Sequence, residues 1–492
     1  MNFNATDFLS ILPLAVLAVW ASVLLVVDLF IPGPRKTWTA ILSALGLAVA
    51  LVLTLVLPGG SKPAFGGMIS ADGFASFLSI LVLASGILAV ALSYDYLKRM
   101  SIERGEYYTL MLFSICGIVL MAYAANLIIV FLALELLSIP LYILAGFARP
   151  RLDSEESALK YFLLGAFASG FVVYGIALAY GSTATTSLEG IVAVLKTGEF
   201  NPTMLTIGAA LILVGLGFKV GAVPFHMWTP DVYQGAPSTV TAFMAVGAKV
   251  GGFAALLRVF VSAFSGHYTL INDLTPVLWG LAAVTMIVGN VLAISQQNIK
   301  RMLAYSSIAH AGYILMALVP FAQEKVAVDS IASALFYLLG FAITSFGIWA
   351  VVMTLEKVED GEDGLHKGLN LDDYAGLGRR SPGLAIAMTI FMLSFIGLPP
   401  TLGFAGKLFL FRTALEGGFV GLAVIGVVTS LISAFYYLRI VVIMYMQDGQ
   451  PTVYRERWLG ITAMASAFCT VVLMFAASPL LEWVARSVVQ LF

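Results

Sequence analysis

The segment Gly215–Pro237, GLGFKVGAVPFHMWTPDVYQGAP, decides how the surrounding chain must fold. An apolar run that starts near residue 203 enters it and then meets Lys219, Pro224 and Pro230 in succession. Proline removes a backbone donor and clashes with the preceding turn, so a helix that enters this segment must break there. At membrane depth, broken backbone is tolerated only where it is buried in protein or lines a wet cavity. The segment therefore predicts an interrupted helix inside a membrane protein.

The composition supports a membrane protein. Of the 492 residues, 60% are apolar and 11% are charged, and the mean hydropathy is +0.98. About a quarter of the residues of a soluble domain are charged, so a soluble globular protein is excluded. The two cysteines, Cys116 and Cys469, are too few to staple the chain or to hold an iron–sulfur cluster or a four-ligand zinc. A net charge of −1 gives no basis for nucleic-acid binding.

Apolar segments long enough to cross a bilayer recur along the whole chain. Because the backbone in lipid must satisfy its hydrogen bonds internally, we expect an all-α polytopic membrane protein with about 14 transmembrane helices. No Lys or Arg precedes the first segment, so we expect a span there and not a signal peptide. The predicted spans are 8–31, 38–57, 74–94, 107–123, 127–146, 154–180, 203–224, 237–263, 276–295, 302–320, 329–356, 383–416, 419–446 and 457–478.

The basic residues orient these spans. With the N-terminus outside, most Lys and Arg residues of the loops lie inside, as the positive-inside rule requires. The outer loops then hold only Lys62, Lys196, Lys325 and Arg486. The longest loop, 357–381, lies inside and is too short for a domain. We therefore expect a multi-pass protein of a prokaryotic plasma (inner) membrane with its N-terminus on the outer (periplasmic) side.

Two parts of the chain resemble each other. ESALKYFLLGAFASGF from Glu156 and ASALFYLLGFAITSF from Ala332 share Ser-Ala-Leu, a tyrosine and a Leu-Leu-Gly pattern. More weakly, GLPPTLGFAGK from Gly397 resembles GLGFKVGAVPF from Gly215 and predicts a second broken helix in span twelve. Two inverted five-helix repeats explain both similarities, although apolar helices share a small alphabet and can match by chance. The predicted units are spans 1–3 in 1–105, the repeats in 106–264 and 275–446, and span 14 with the tail in 447–492.

Four ionisable residues lie deep in the predicted spans. Glu135 and Lys249 fall near the middle of their spans, and Lys219 and Lys407 lie at the two helix breaks. A charge at mid-span costs roughly 2.5–3.5 kcal/mol on insertion scales, so each is a candidate functional residue. Inert structural ion pairs are the alternative. Glu135 is the natural partner for a lysine on a neighbouring helix, and an acid that moves relative to a buried lysine can switch its protonation.

Three further residues are candidates for proton relay. Lys160 lies one to two turns inside its span, within reach of the membrane surface by snorkelling. His226 follows Pro224, and His310 lies at mid-span in SSIAHAGY. Histidine titrates near neutral pH and can relay protons, although a hydrogen-bonded core histidine is the commoner case. The two histidines are not spaced as a metal pair, and we predict no metal site.

The other charged residues near span ends have simpler interpretations. We expect Arg258, Arg412 and Arg439 to snorkel to the interface and Asp28 to pair near its helix end. The sequence has no nucleophile elbow, phosphate loop or dinucleotide fingerprint. The candidates can therefore move protons or cations, and no residue pattern indicates bond chemistry.

Four motifs carry a resemblance to a known family. They are LELLSIPLYILAGF around Glu135, ESALKYFLLGAFASGF around Lys160, the quoted segment around Lys219, and KRMLAYSSIAHAGY around His310. Together they resemble the antiporter-like subunits of respiratory complex I, the proton-translocating NADH:quinone oxidoreductase. The resemblance spans the whole chain, and its motifs are long and specific.

The resemblance implies a role for each motif residue. Glu135 resembles the acid that modulates the lysine of the seventh helix, here Lys219. Lys160 resembles a lysine that interacts with a neighbouring subunit, and Lys249 resembles the bridging lysine of the eighth helix. Lys407 resembles the lysine of the broken twelfth helix, through which a second half-channel reaches the outside. Some related subunits carry glutamate at that position.

The resemblance also implies the setting. The chain would be a non-redox subunit of the membrane arm that translocates protons, beside other membrane-arm subunits that include a second antiporter-like subunit. It would carry no cofactor, and NADH, FMN, iron–sulfur clusters and quinone would be bound by partner subunits. Two alternatives remain: a subunit of a multi-subunit sodium/proton antiporter, and a scaffold held by inert ion pairs.

Overall fold

The computed structural model describes residues 5–57, 63–263, 268–323, 325–358 and 366–491, and nearly all regular structure in these ranges is helical. The helices are α1 Ala5–Ser10, α2 Leu12–Asp28, α3 Thr37–Val56, α4 Gly73–Arg99, α5 Gly105–Tyr123, α6 Leu127–Ala145, α7 Leu152–Thr183, α8 Leu188–Thr197, α9 Pro202–Val220, α10 Trp228–Gly235, α11 Ser238–Ser262, α12 Tyr268–Ile294, α13 Ile299–Ala317, α14 Ala327–Leu355, α15 Leu377–Arg380, α16 Pro382–Ile396, α17 Leu402–Glu416, α18 Val420–Met446, α19 Arg457–Phe475 and α20 Ala477–Val488.

Besides four short 3₁₀ helices, the described residues form two short antiparallel hairpins. They pair β1 Pro63–Ala64 with β2 Ile69–Ser70, and β3 Lys357–Val358 with β4 His366–Lys367. The second hairpin and α15 lie in the predicted loop 357–381, where residues 359–365 are outside the described part of the chain. Lys62, assigned to an outer loop, is outside it as well.

Each predicted span coincides with one helix or one pair of helices. Twelve of the described helices are long and apolar enough to cross a membrane. The first span corresponds to α2, a shorter apolar helix of 17 residues, and the twelfth is divided between α16 and α17, of 15 residues each. The prediction of an all-α polytopic membrane protein with broken helices is confirmed. The division into two inverted repeats stays a prediction.

The helices separate into an interior set and a lipid-facing set. The apolar stretch of α11 is fully buried, and those of α13 and α14 are almost so. By contrast, more than half of the residues in the apolar stretches of α3, α7, α18 and α19 are accessible. In a bilayer, apolar side chains can face lipid without cost, so exposed apolar rows on these helices are compatible with a membrane. The polar candidates need the interior helices to hold them away from lipid.

Both predicted breaks are present and have the same local form. The helix α9 ends at Val220 and is followed by Gly221 at φ 76°, and α16 ends at Ile396 and is followed by Gly397 at φ 89°. Glycine has no Cβ and adopts this left-handed conformation readily, which turns the chain away from the helix axis. The last carbonyls of α9 and α16 are thereby left inside the protein, where they need donors.

Arg258 corrects one expectation from the sequence. Instead of snorkelling, its guanidinium is buried and bonds both carboxylate oxygens of Asp72, with Nη1–Oδ2 at 2.5 Å and Nη2–Oδ1 at 2.7 Å. Its Nε also donates to the carbonyl of Ala122 at 2.8 Å, and Asp72 caps α4 by accepting from the backbone N–H of Ala75. This pair therefore joins α11, the end of α5 and the start of α4.

The remaining charged residues near span ends agree better with expectation. Asp28 pairs with Lys36 at 2.6 Å. Arg412 makes an exposed ion pair with Glu416 at 2.8 Å, and the guanidinium of Arg439 donates to the side-chain oxygen of Gln297 at 2.7 Å. None of these three contacts requires a charge to be held at mid-span.

A second arginine ties three segments together. Arg99, at the end of α4, pairs with Glu456 at 2.9 Å and donates to the carbonyl of Met353 in α14 at 2.6 Å. Its guanidinium also lies 4.4 Å from the ring centroid of Tyr454. Burial raises the pKa of Glu456, and the charge of Arg99 opposes that rise. The segment before α19 is thus held against α4 and α14.

Replacing Arg258 by methionine should destabilise the fold. The change leaves the buried Asp72 carboxylate uncompensated, and breaking a buried ion pair by removing one partner costs about 3–5 kcal/mol. We expect a clear fall in the thermal unfolding temperature of the detergent-solubilised protein. The matched control is Arg412→Met, because an exposed pair is worth only about 0–1 kcal/mol. Equal unfolding temperatures for the two variants would contradict the structural role of Arg258.

Candidate functional site

Lys219 lies in the last turn of α9 and is buried against two aromatic rings. Its ammonium nitrogen is 5.2 Å from the ring centroid of Tyr142 on α6 and 5.2 Å from that of Tyr161 on α7. A cation within about 6 Å of a ring face is attracted by the ring quadrupole. Among the described residues, the ammonium makes no hydrogen bond and no ion pair within 4.0 Å. Both rings are therefore close enough to stabilise this charge.

Glu135 lies on α6 and is half-buried. Its Oε1 accepts a hydrogen bond of 2.5 Å from the hydroxyl of Ser169 on α7. The structure does not bring this carboxylate into ion-pair contact with Lys219, contrary to the simplest form of the expected pairing. The ring centroid of Tyr142, on the same helix, lies 5.2 Å from the Lys219 amine, so α6 borders the site of this lysine.

Lys249 occupies the middle of the fully buried helix α11. Its ammonium donates to the carbonyl of Val220 at 3.0 Å, and Val220 is the last residue of α9. The end of a helix carries unpaired carbonyls and a partial negative charge, and both favour a cation. Lys249 therefore supplies the donor that the first helix break requires.

Lys407 donates to the unpaired carbonyls at the second break in the same way, but it lies on the helix that follows the break. From α17 it donates to the carbonyls of Phe395 and Ile396 at 2.8 and 2.9 Å and to the hydroxyl of Ser430 at 2.6 Å. The same ammonium lies 4.6 Å from the ring centroid of Tyr313. The helix end and one hydroxyl thus replace water around this buried cation.

His310, in α13, is at the centre of a chain of hydroxyl groups. Its Nδ1 bonds the hydroxyl of Tyr337 at 2.6 Å and its Nε2 bonds that of Tyr437 at 3.1 Å, and Tyr437 in turn bonds Ser306. A cavity of about 10 Å³, room for roughly one water, adjoins the ring. No direct hydrogen bond joins His310 to Lys407. Hydroxyl–imidazole chains of this kind can pass protons.

His226 is less clearly connected. It lies in the break between α9 and α10, is half-buried, and its Nδ1 has no hydrogen-bond partner among the described residues. Its neighbours Pro224 and Met227 are exposed. The structure therefore places His226 beside the break without joining it to the other candidates.

Lys160 lies at the edge of the molecule in a group of charged residues. Its ammonium pairs with Glu156 at 2.7 Å and with Asp231 at 2.8 Å, and Asp231 also pairs with Arg301 at 2.7 Å. Lys160, Glu156 and Asp231 border an open cavity of about 180 Å³. Lys160 is therefore reached from solvent, unlike the lysines at the breaks.

Several residues of the site were not found from the sequence. Lys300, assigned to a loop, is buried and donates to the carbonyl of Ala236 at 2.6 Å, just after α10. The aromatic and hydroxyl partners of the lysines were also missed. The repeat did contain a signal, because the tyrosine shared by its two copies is Tyr161 in one and Tyr337 in the other. Tyr161 lies beside Lys219, and Tyr337 bonds His310.

The chemistry open to the site follows from its groups. Amines, imidazoles, phenol and aliphatic hydroxyls and carboxylates can hold and pass protons. In the described ranges no group of three or more His, Cys, Asp or Glu residues is placed to hold a metal ion. Fold and site together define an ion-translocating type of polytopic membrane protein, with its charges at interrupted helices.

The family can now be stated. A family model described as "NADH:quinone oxidoreductase/Mrp antiporter, TM" matches residues 124–433, which contain every candidate site residue. The chain belongs to this family. The NADH-quinone oxidoreductase subunit N of Chloroflexus aggregans is 46% identical over 500 residues, covering 100% of this chain and 99% of that protein.

Two solved structures show how widely the fold is shared. A chain of respiratory complex I from Thermus thermophilus with bound aureothin is 34% identical, covers 96% of this chain and 98% of its own, and has a TM-score of 0.80. A chain of the Mrp complex from Dietzia sp. is 20% identical, with coverages of 98% and 96% and a TM-score of 0.83. The second match is similar in fold alone. The two structures are therefore distinguished by their sequence identity to this chain and not by their fold.

The different burial of the lysines can be measured by chemical labelling. The Lys160 side chain is 41% exposed, whereas Lys249 and Lys407 are 2% and 4% exposed. In the detergent-solubilised protein, we expect a water-soluble amine-reactive ester to label Lys160 and the exposed control Lys196, and to leave Lys249 and Lys407 unmodified. Peptide mass spectrometry gives the occupancies. Labelling of Lys249 or Lys407 at the rate of Lys196 would contradict the burial described here.

Proposed function

We propose that the chain is a non-redox membrane-arm subunit of NADH:quinone oxidoreductase that translocates protons, coupled to electron transfer from NADH to quinone in other subunits. The observation that carries the proposal is the set of three buried lysines at the two helix breaks. Each of Lys219, Lys249 and Lys407 holds an amine inside the protein against rings or carbonyl oxygens. The full-length similarity to a subunit N supports this reading.

The proposed roles follow the arrangement of the helices. Lys219 and Lys249 lie on the two sides of the first helix end, and Lys407 lies at the second with His310 nearby. Glu135 would change the protonation of Lys219 by moving towards or away from it. Lys160, in its solvent-reached group, would connect to a neighbouring subunit. His226 would admit or release protons beside the first break, and the two inverted repeats would each hold one half of the path.

The proposal includes a setting for the chain. Other membrane-arm subunits, among them a second antiporter-like subunit, would cover parts of its apolar surface, and lipid would cover the rest. NADH, FMN, iron–sulfur clusters and quinone would be bound by partner subunits. The membrane would be a prokaryotic plasma membrane with the N-terminus outside, because this orientation places most basic loop residues inside.

One observation favours a second candidate, a subunit of a sodium/proton antiporter. The description of the matching family model names the Mrp antiporter beside NADH:quinone oxidoreductase. The native assembly should distinguish them. We expect flavin, iron–sulfur clusters and NADH oxidation to co-purify with an affinity-tagged chain. Sodium-driven pH changes in vesicles that lack those groups would instead establish the antiporter.

Lys219→Ala and Glu135→Ala should each reduce proton pumping and coupled quinone reduction while the complex assembles. Lys219→Ala removes the amine that accepts and gives up the proton. Glu135→Ala removes the charge that would control this transfer. We expect the complex to assemble because the helices at this site are held by apolar packing. Pumping should fall by about tenfold or more, which corresponds to a barrier higher by about 1.4 kcal/mol. The readouts are the initial rate of proton uptake and the protons taken up per NADH oxidised, both measured in inverted membrane vesicles.

The control for these variants is Lys196→Ala, an exposed lysine on α8 outside the path. It should pump at the wild-type rate. A scaffold role predicts a different pattern, in which Lys219→Ala lowers the amount of assembled complex and leaves its proton stoichiometry unchanged. Wild-type pumping by a normally assembled Lys219→Ala complex would refute the proposed function.

A further inference from the structure

The two lysines that serve helix ends differ from Lys219 in how their charge is stabilised. Lys249 and Lys407 donate to backbone carbonyls, at 3.0 Å from Val220 and 2.8 Å from Phe395. The ammonium of Lys219 makes no hydrogen bond with the described residues, and no carboxylate lies within 4.0 Å of it. A buried ammonium without compensation is strongly disfavoured, so other groups must offset its loss of hydration.

We propose that Tyr142 and Tyr161 form an aromatic cage that helps to stabilise the buried ammonium of Lys219, and that Tyr161 is the positioning residue of this cage. The ring centroids lie at the same distance from the amine nitrogen, 5.2 Å, and come from two different helices. Their planes are nearly perpendicular, at 89°, with centroids 4.7 Å apart. The amine is thus in reach of two ring systems that form two walls of one pocket. Cation–ring attraction is strongest where water is excluded.

The cage is held in place across the helix break. The ring of Tyr161 stacks on that of Trp228 in α10, with centroids 4.6 Å apart and planes 12° from parallel. The indole Nε1 of Trp228 donates to the carbonyl of Phe218 at 2.8 Å. Phe218 directly precedes Lys219, so Trp228 fixes the ring and the backbone of the lysine together. A movement of α10 relative to α9 would therefore change the distance between cation and ring.

The ring of Tyr161, and not its hydroxyl, makes the relevant contact. The side chain is fully buried, and its hydroxyl has no hydrogen-bond partner among the described residues. An unpaired buried hydroxyl lowers stability, so its removal should be tolerated. Tyr161→Phe preserves the ring face, whereas Tyr161→Leu removes it and leaves an apolar side chain. These two variants distinguish the contribution of the ring face from that of the hydroxyl.

The experiment measures the initial rate of proton uptake and the protons taken up per NADH oxidised by the complete complex in inverted vesicles. We expect Tyr161→Phe to pump as the wild type and Tyr161→Leu to pump about 5–30-fold more slowly, the range that corresponds to the loss of a buried cation–ring contact. Tyr174→Leu is the matched control, because Tyr174 is on the same helix and is exposed. It should leave pumping unchanged.

A double variant shows whether the ring acts through the lysine. If it does, Tyr161→Leu added to Lys219→Ala should cause no further loss, since the shared partner is already absent. The proposed cage would be overturned by a further loss in the double variant or by failure of Tyr161→Leu to assemble. Wild-type pumping by Tyr161→Leu, or equal losses in Tyr161→Phe and Tyr161→Leu, would also overturn it.

The inference rests on the proposed function, and its failure can be told apart from failure of that function. If Lys219→Ala pumps normally, the lysine does not carry protons and the proposed function is wrong. If Lys219→Ala is defective while Tyr161→Leu pumps normally, the lysine still acts and only the cage is wrong.

Discussion

The structure depends on one constraint: an interrupted helix inside a membrane protein exposes carbonyl groups where water is scarce, and each needs a donor. Two lysines provide it, Lys249 for Val220 and Lys407 for Phe395 and Ile396. The same contacts solve the opposite problem, because the oxygens at a helix end replace part of the hydration of the ammonium. The interrupted helix and the buried lysine therefore stabilise each other. The buried helix α11 also keeps lipid away from the first of the two helix breaks.

Much of the fold could be predicted because it depends on local sequence. An apolar run of about 20 residues identifies a span, and proline in GLGFKVGAVPF or GLPPTLGF identifies a break. Contacts between distant residues could not be predicted in this way. Arg258 bonds Asp72 across 186 residues of sequence, so position in a span could not distinguish snorkelling from pairing. The candidate lysines were found because their cost at depth is visible in the sequence, whereas tyrosine is ordinary in an apolar helix and its role depends on what it faces.

The comparisons separate scaffold from function. The complex I chain and the Mrp chain match this structure with TM-scores of 0.80 and 0.83, so the arrangement of helices is common to both. Function resides in the side chains placed on such a scaffold. Identity of 34% to the first chain and 20% to the second places the difference in sequence. The fold alone therefore does not separate the two kinds of assembly, and the proposed function depends on the charged side chains.

The two helix ends differ in how they tolerate a neutral amine. A charged lysine has three N–H donors, and a neutral one keeps two and gains a lone pair. Lys249 meets a single carbonyl, so its bond to Val220 can survive discharge without a change in the backbone. Lys407 meets three oxygens, and the hydroxyl of Ser430 already donates to Ile396. Deprotonation of Lys407 must therefore leave one oxygen without its donor or make the hydroxyl of Ser430 rotate. Loss of a proton in the second half of the molecule is thus coupled to a local structural change.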